Sequence, residues 1–267
     1  MKRRKLFSIF MDLFVVSLGL ISLLSPFIFQ QARSPENQAA IYPIMVSLII
    51  FLCLMIILFE TQASTLDNKM IALLGVLIAI NSGLRFIENA VPGPAGFSPA
   101  FFLIILVGYK FGSHAGFIIG ALTLLVSALI TGGVGPWLPG QMITAGWVGQ
   151  SAAMLTFPIQ KMGYQSKAPE IIFLAGFGAL WGILFGVIMN LWFWPFLGAA
   201  HGHTFTQAVG LIENFHRYLA YYLATSLLWD LTRAIGNIVL ILIMAKPVLK
   251  IFQRFYLRFS YQYHQGT

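Results

Sequence analysis

Apolar residues run through this chain in long blocks separated by short polar or Gly/Pro breaks, and the block lengths predict membrane-spanning helices. A helix needs about 20 mostly apolar residues to cross the hydrocarbon layer of a bilayer. Blocks of that kind cover about Leu6–Phe29, Ala40–Glu60, Lys69–Asn89, Gly140–Pro158, Pro169–Leu197 and Asn214–Lys246. Between Pro99 and Thr131 the run is interrupted by Gly112-Ser113. This predicts two helices, Pro99–Phe111 and His114–Thr131, joined by a tight turn. The fold class is all-α, a polytopic membrane bundle of about eight transmembrane helices. The opening block follows Lys2-Arg3-Arg4-Lys5, as a signal peptide would. Its apolar stretch exceeds the ~7–15 residues of a signal core, so it reads as a retained helix.

Composition agrees. Of 267 residues, 58% are hydrophobic and only 9% charged, and the mean hydropathy is +0.84. A soluble domain carries roughly 25% charged residues, so the chain lacks the polar surface of a soluble enzyme or a disordered protein. The net charge of +8 does not point to nucleic acid here, because basic residues of membrane proteins gather in cytoplasmic loops. With both termini inside, the cytoplasmic set is Lys2, Arg3, Arg4, Lys5, Lys69, Lys110, Lys161, Lys167, Lys246, Lys250, Arg254 and Arg258, which is 12 of the 16 basic residues. Arg33, Arg85 and Arg217 fall outside or near the outer ends, and Arg233 falls inside a span. That bias supports the helix count and a multi-pass topology with both termini inside. The single cysteine, Cys53, sits in an apolar run and reads as a small core residue.

Polar residues within spans carry the candidate chemistry, since charges in a bilayer normally face an interior or a cavity. On the last helix, Tyr222, Ser226, Asp230, Arg233 and Asn237 share one stripe at helical spacing, and Asp230 and Arg233 can pair at i, i+3. That stripe suits either a structural ion pair or a ligand-facing wall. On the third helix Asn81, Arg85 and Glu88 lie on one side, and Ala72, Gly75, Ala79, Ser82 and Gly83 on the other. A face of small residues allows close helix approach in lipid. It suits either packing in the bundle or docking of another membrane protein. Three segments rich in Gly, Pro and aromatics, Asn89–Pro99, Thr131–Gln141 and Phe196–Gln207, are expected at the outer side and suit a lid over a bound molecule. His201-Gly202-His203 is a weak metal signal without a nearby carboxylate, and no metal site is expected. The sequence contains no H-E-x-x-H, G-x-S-x-G or G-x-x-x-x-G-K-[ST]. An ATPase, if one drives this protein, is another chain. A membrane enzyme acting on a lipid-linked substrate would draw on His201, His203, Arg217, Glu88 and Glu213, but no spacing among them defines a nucleophile and base.

The run Thr131-Gly132-Gly133-Val134-Gly135-Pro136-Trp137-Leu138-Pro139-Gly140-Gln141, followed by Met142–Gly149, resembles the substrate-specific S component of energy-coupling factor (ECF) vitamin transporters. Leu84–Asn89 and Trp229–Asn237 agree with it. The resemblance covers about residues 69–250. It implies a six-helix core over residues 67–250, preceded by two add-on helices (1–66) and followed by a basic, aromatic cytoplasmic tail (251–267). It further implies a subunit that is not an enzyme, binds a vitamin or related micronutrient outside, and associates with a membrane coupling subunit and two cytoplasmic ATPases. ATP is used by those partners, and no permanently bound cofactor is expected in this chain. The expected substrate-binding residues are Asn81, Arg85, Glu88, Trp137, Gln141, Tyr222, Asp230 and Arg233. Ala72, Gly75 and Ala79 stand where the family docks its coupling subunit, although the A-x-x-x-A pattern is not strict. The substrate reading leans to a cobalamin-type or other bulky vitamin. The cobalt and nickel branch is disfavoured, because its metal site uses a His close to the N-terminus and this chain begins Met1-Lys2-Arg3-Arg4.

Overall fold

The computed structural model describes residues 68–90, 97–196, 204–206 and 208–261, with Met55 and a few positions between 14 and 27. Apart from those positions, the first two predicted spans lie outside the described residues, as do Cys53 and His201-Gly202-His203. All regular structure among the described residues is helical. The elements are α1 (Asn68–Ala90), α2 (Ala100–Phe111), α3 (Ser113–Thr131), α4 (Leu138–Ala152), α5 (Thr156–Lys161), α6 (Ala168–Phe193), α7 (Leu211–Thr225) and α8 (Leu227–Tyr261). Short 3-10 segments, Ala153–Leu155 and Trp194–Phe196, extend α4 and α6.

The predicted break at Gly112 is present. Gly112 has φ 98° and its N–H reaches the Gly108 carbonyl at 3.0 Å. A side chain would be strained at that φ, so glycine ends α2 and starts α3 in a single residue. Two expectations are corrected. The last span, expected as one helix over Asn214–Lys246, is two helices that meet at Ser226 (φ −124°). The Thr225 hydroxyl donates to the Tyr221 carbonyl at 2.8 Å, and the Ser226 hydroxyl to Asn190 Oδ1 at 2.9 Å. The Thr225 bond is local, and such bonds compete with the helix ladder and bend it, while the Ser226 bond reaches across to α6. Ser82, expected on the small-residue face of α1, is instead fully buried. Its hydroxyl donates to the Thr123 carbonyl of α3 at 3.4 Å.

Four described helical stretches are long and apolar enough to cross a membrane: Asn68–Glu88, Ser113–Thr131, Ala168–Phe196 and Leu227–Phe255. The 12-residue α2 is too short to span alone, being about 18 Å long against a core of about 30 Å. It is apolar on every side, and Ala100 through Tyr109 are all buried. A helix hydrophobic all round belongs at the centre, and α2 packs against α1, α3, α4, α6 and α8.

Glycine seams bring these helices together. A Cβ at Gly108 of α2 would lie 1.9 Å from the Gly149 carbonyl oxygen of α4, and one at Gly116 of α3 would lie 2.2 Å from that same oxygen. The second seam joins α6 to the antiparallel α8. Gly178 meets Asn237 and Ile241, Gly182 meets Ala234, and Gly186 meets Asp230. Lipid tails are as apolar as the side chains, so association relies on close backbone packing and buried polar contacts rather than on expulsion from water.

The polarity of α7 runs inside out for a water-soluble protein. Asn214, Tyr218 and Tyr222 are buried, while Leu211, Ile212, Phe215, Leu219 and Leu223 are exposed. That pattern suits an apolar surrounding, where polar groups must find partners within the bundle. The bundle has two distinct ends. At one, Lys110 bonds Gln253, and Tyr109 donates to Glu170 at 2.7 Å. At the other, Ser98 before α2 donates to Glu88 of α1 at 2.8 Å, and the loop after α3 meets the end of α6. Described residues of the add-on segment touch the core. Gly19 lies against the Trp147 ring, and Phe27 stands edge-on to Phe205 at 5.0 Å.

Candidate substrate-binding site

The loop after α3 is built by its glycines. Gly132 ends the helix with φ 69°, and the Gly133 N–H returns to the Ala128 carbonyl at 2.9 Å. This is the left-handed helix stop that glycine provides. The chain then turns through Pro136 into α4, with Pro139 in its first turn. Trp137 stands at this corner, 42% exposed, and its indole N–H donates to the Gly133 carbonyl at 3.3 Å. Gln141 follows one turn later. Facing them is the last part of α6. Together Trp137, Gln141, Met189, Asn190, Trp192 and Phe193 line a cavity of about 300 Å³. Its walls are aromatic and apolar with two carboxamides, a composition suited to a small organic ligand whose orientation is set by a few polar groups.

Asn190 fixes the polar wall. Its Nδ2 donates to the Gly186 carbonyl at 2.8 Å, and its Oδ1 accepts from Ser226 at 2.9 Å and Tyr221 at 3.3 Å. The side chain therefore pins α6 to the α7–α8 junction. Sequence reasoning missed Met189, Asn190, Trp192 and Phe193. The signal for Asn190 was there, a lone carboxamide in the apolar run of α6. The G-x-x-x-G-x-x-x-G spacing of Gly178, Gly182 and Gly186 was a second unused signal.

Of the eight residues expected at the site, Trp137 and Gln141 line the cavity. Tyr222, Asp230 and Arg233 form a hydrogen-bonded chain behind it. The Tyr222 hydroxyl donates to Asp230 Oδ2 at 2.8 Å, and Arg233 Nη1 donates to Asp230 Oδ1 at 2.5 Å. Arg233 Nη1 also donates to the Gly182 carbonyl at 3.2 Å, and the guanidinium lies 6.0 and 5.5 Å from the Phe101 and Phe185 ring centroids. The Asp230 side chain is 3% exposed and that of Arg233 17%. Asp230 rests directly on Gly186, where a Cβ would lie 1.7 Å from Oδ2.

Asn81 is fully buried and ties α1 to its neighbours. Its Nδ2 donates to the Ala100 carbonyl and to Thr123 Oγ1, both at 3.1 Å. Arg85 and Glu88 are half-buried on that same side of α1. Glu88 accepts the Ser98 hydroxyl, and Arg85 lies close enough to Glu88 and Arg233 to interact with both through space. On the opposite side Ala72, Gly75 and Ala79 are exposed, and nothing lies within 4 Å of a Cβ at Gly75. Of the enzyme candidates, His201 and His203 lie outside the described residues. Glu213 and Arg217 pair with each other at 2.8 Å on α7, and no group of three metal-binding side chains occurs among the described residues.

Apolar outer faces, inward polar groups and a solute-sized cavity at one end define a polytopic helical membrane protein. The family model of the substrate-specific component of ECF transporters matches residues 69–245, and the chain belongs to that family. It is a substrate-binding membrane subunit of an ECF transporter, a class of subunit that works with a membrane T component and ATPases. No curated protein and no solved structure matches the chain.

Proposed function

We propose that this chain captures a vitamin-type micronutrient at the outer face of a prokaryotic plasma membrane and delivers it to a coupling subunit driven by two ATPases. The observation that carries the reading is the cavity between Trp137–Gln141 and Met189–Phe193, one wall of which belongs to the T-G-G-x-G-P-W-L-P-x-Q run. The basic end, with Lys110, Lys161, Lys167, Lys246, Lys250 and Arg254, is the cytoplasmic one on the positive-inside rule, which leaves the cavity facing out. Ala72, Gly75 and Ala79 are the proposed docking face for the coupling subunit, because they are small, exposed and turned away from Asn81 and Arg85.

The sequence resemblance leans to a cobalamin-type or other bulky vitamin. The cavity volume of about 300 Å³ lies at the low end of the roughly 300–1,000 Å³ of small-molecule sites. That space is open to one side and matches a single-ring vitamin more closely than a bulky one. The test is mass spectrometry of small molecules released by heating the purified protein. Trp137→Ala and Gln141→Ala should lower the amount released at least severalfold while the protein remains folded. Unchanged retention in both variants would remove the cavity from consideration.

A further inference from the structure

The charged groups around α1 and α8 do not pair off evenly. Asp230 is fully engaged by Arg233 and Tyr222. Glu88 sits three residues after Arg85, the right spacing for a helical ion pair, yet its carboxylate takes the Ser98 hydroxyl at 2.8 Å and stands outside ion-pair range of Arg85. Arg85 makes neither a hydrogen bond nor an ion pair with any described residue. Its guanidinium carries five donors in a planar fork on a membrane-spanning stretch, with the Glu88 carboxylate and a second cation, Arg233, both in its field. Arg85 lies three residues from the outer end of that stretch, where its free donors are open to an anionic group. It is only half-buried, so a ligand can reach it.

Arg85 does not itself line the cavity, but its neighbour Arg233 is tied to the cavity wall. Arg233 holds Asp230, Asp230 rests on Gly186, and the Gly186 carbonyl accepts from the cavity residue Asn190 one turn further along α6. We infer that Arg85 receives an anionic oxygen group, a carboxylate or phosphate, carried by the transported solute. This inference rests on the S-component reading above and narrows it, since it selects acidic micronutrients over neutral or cationic ones. A guanidinium pairs with carboxylate or phosphate through two parallel N–H···O bonds, which Lys reproduces only as a point charge.

A lipid headgroup offers the same phosphate chemistry, so the experiment separates the two sources. Wild-type protein, Arg85→Gln and Arg85→Lys are purified into nanodiscs of phosphatidylcholine alone, and in parallel into discs containing phosphatidylglycerol. Size-exclusion profiles and melting temperatures establish folding. Released small molecules are identified by mass spectrometry, and nicotinate against nicotinamide and pantothenate against pantothenol are tested as acid and neutral probe pairs. The expected result is an acid-bearing molecule released from wild type in both lipids. Its occupancy, and any preference for the acid probe, should fall roughly ten- to a hundredfold in Arg85→Gln and partly return in Arg85→Lys. A neutral or cationic released molecule overturns the inference and leaves the S-component reading standing. Equal retention of an acid by Arg85→Gln does the same. An Arg85 effect confined to a melting-temperature shift in phosphatidylglycerol discs also overturns it, because the anion is then lipid. If wild type releases nothing and captures no ATPase-bearing partner, the functional reading itself fails.

Discussion

Removing Asp230 tests how the polar layer behind the cavity is held. Asp230→Ala deletes a carboxylate that is 2% exposed and accepts from both Tyr222 and Arg233. Breaking one side of a buried ion pair costs roughly 3–5 kcal/mol in soluble proteins. Interhelical hydrogen bonds in a membrane bundle average nearer 0.6 kcal/mol, so the Tyr222 bond adds little. Arg233 keeps part of its surroundings, namely the Gly182 carbonyl and the faces of Phe101 and Phe185, and a cation over a ring recovers about 0.5–2 kcal/mol. The net expectation is a loss of about 2–4 kcal/mol. The double change Asp230→Ala with Arg233→Leu removes the stranded charge and should regain at least about half of that. The assay is a denaturant or SDS titration of purified protein, with the fraction surviving heating in detergent as a second readout. If the double variant is as unstable as Asp230→Ala alone, the pair is not compensating and the account of this layer is wrong.

Gly186→Ala should lower the melting temperature about as much as Asp230→Ala, because its Cβ would fall within 1.7 Å of the carboxylate; a stable variant would mean that Asp230 does not rest on α6. Asn81→Ala removes two hydrogen bonds linking α1 to Ala100 and Thr123 and should cost about 1–2 kcal/mol in the same titration, with released ligand still detected from the folded fraction. Gly75→Leu points a bulky side chain into open space, so folding and ligand retention should hold while pull-down of the coupling subunit and uptake into cells fall sharply. Loss of ligand with partner binding intact would show that this face belongs to the internal core.

Much of the bundle was legible from pattern because a bilayer imposes simple rules. Residues 69–89 read as a helix, as did the pair divided at Gly112, and the bounds of α1, α2 and α3 match to within a residue or two. Burial in lipid makes apolar length a direct measure of a helix, and a glycine between two apolar runs is a direct measure of a turn. The split at Ser226 was not legible in the same way. Tyr222 through Asp230 is apolar enough to continue a span, and the break depends on the Ser226 hydroxyl meeting Asn190 from another helix. The misplacement of Ser82 has a similar cause. A small residue reads as surface or interface alike, and only the position of Thr123 on α3 draws it inward.

By itself the sequence determined the medium, the helical class, the glycine-rich loop with Trp137 and Gln141, and the resemblance to ECF substrate-binding subunits. These follow from composition and from contiguous runs, where the information is local. Tertiary structure alone decided which polar residues share a cavity. Asn81 and Arg85 lie on one face of one helix, yet Asn81 is consumed by bonds to Ala100 and Thr123 while Arg85 bonds none of the described residues. Met189 and Asn190 join Trp137 and Gln141 across a gap of about fifty residues in sequence. The physical reason is that a buried polar group is defined by its partner, and the close approach of α6 to α8 that sets those partners depends on three glycines whose neighbours are distant in the chain.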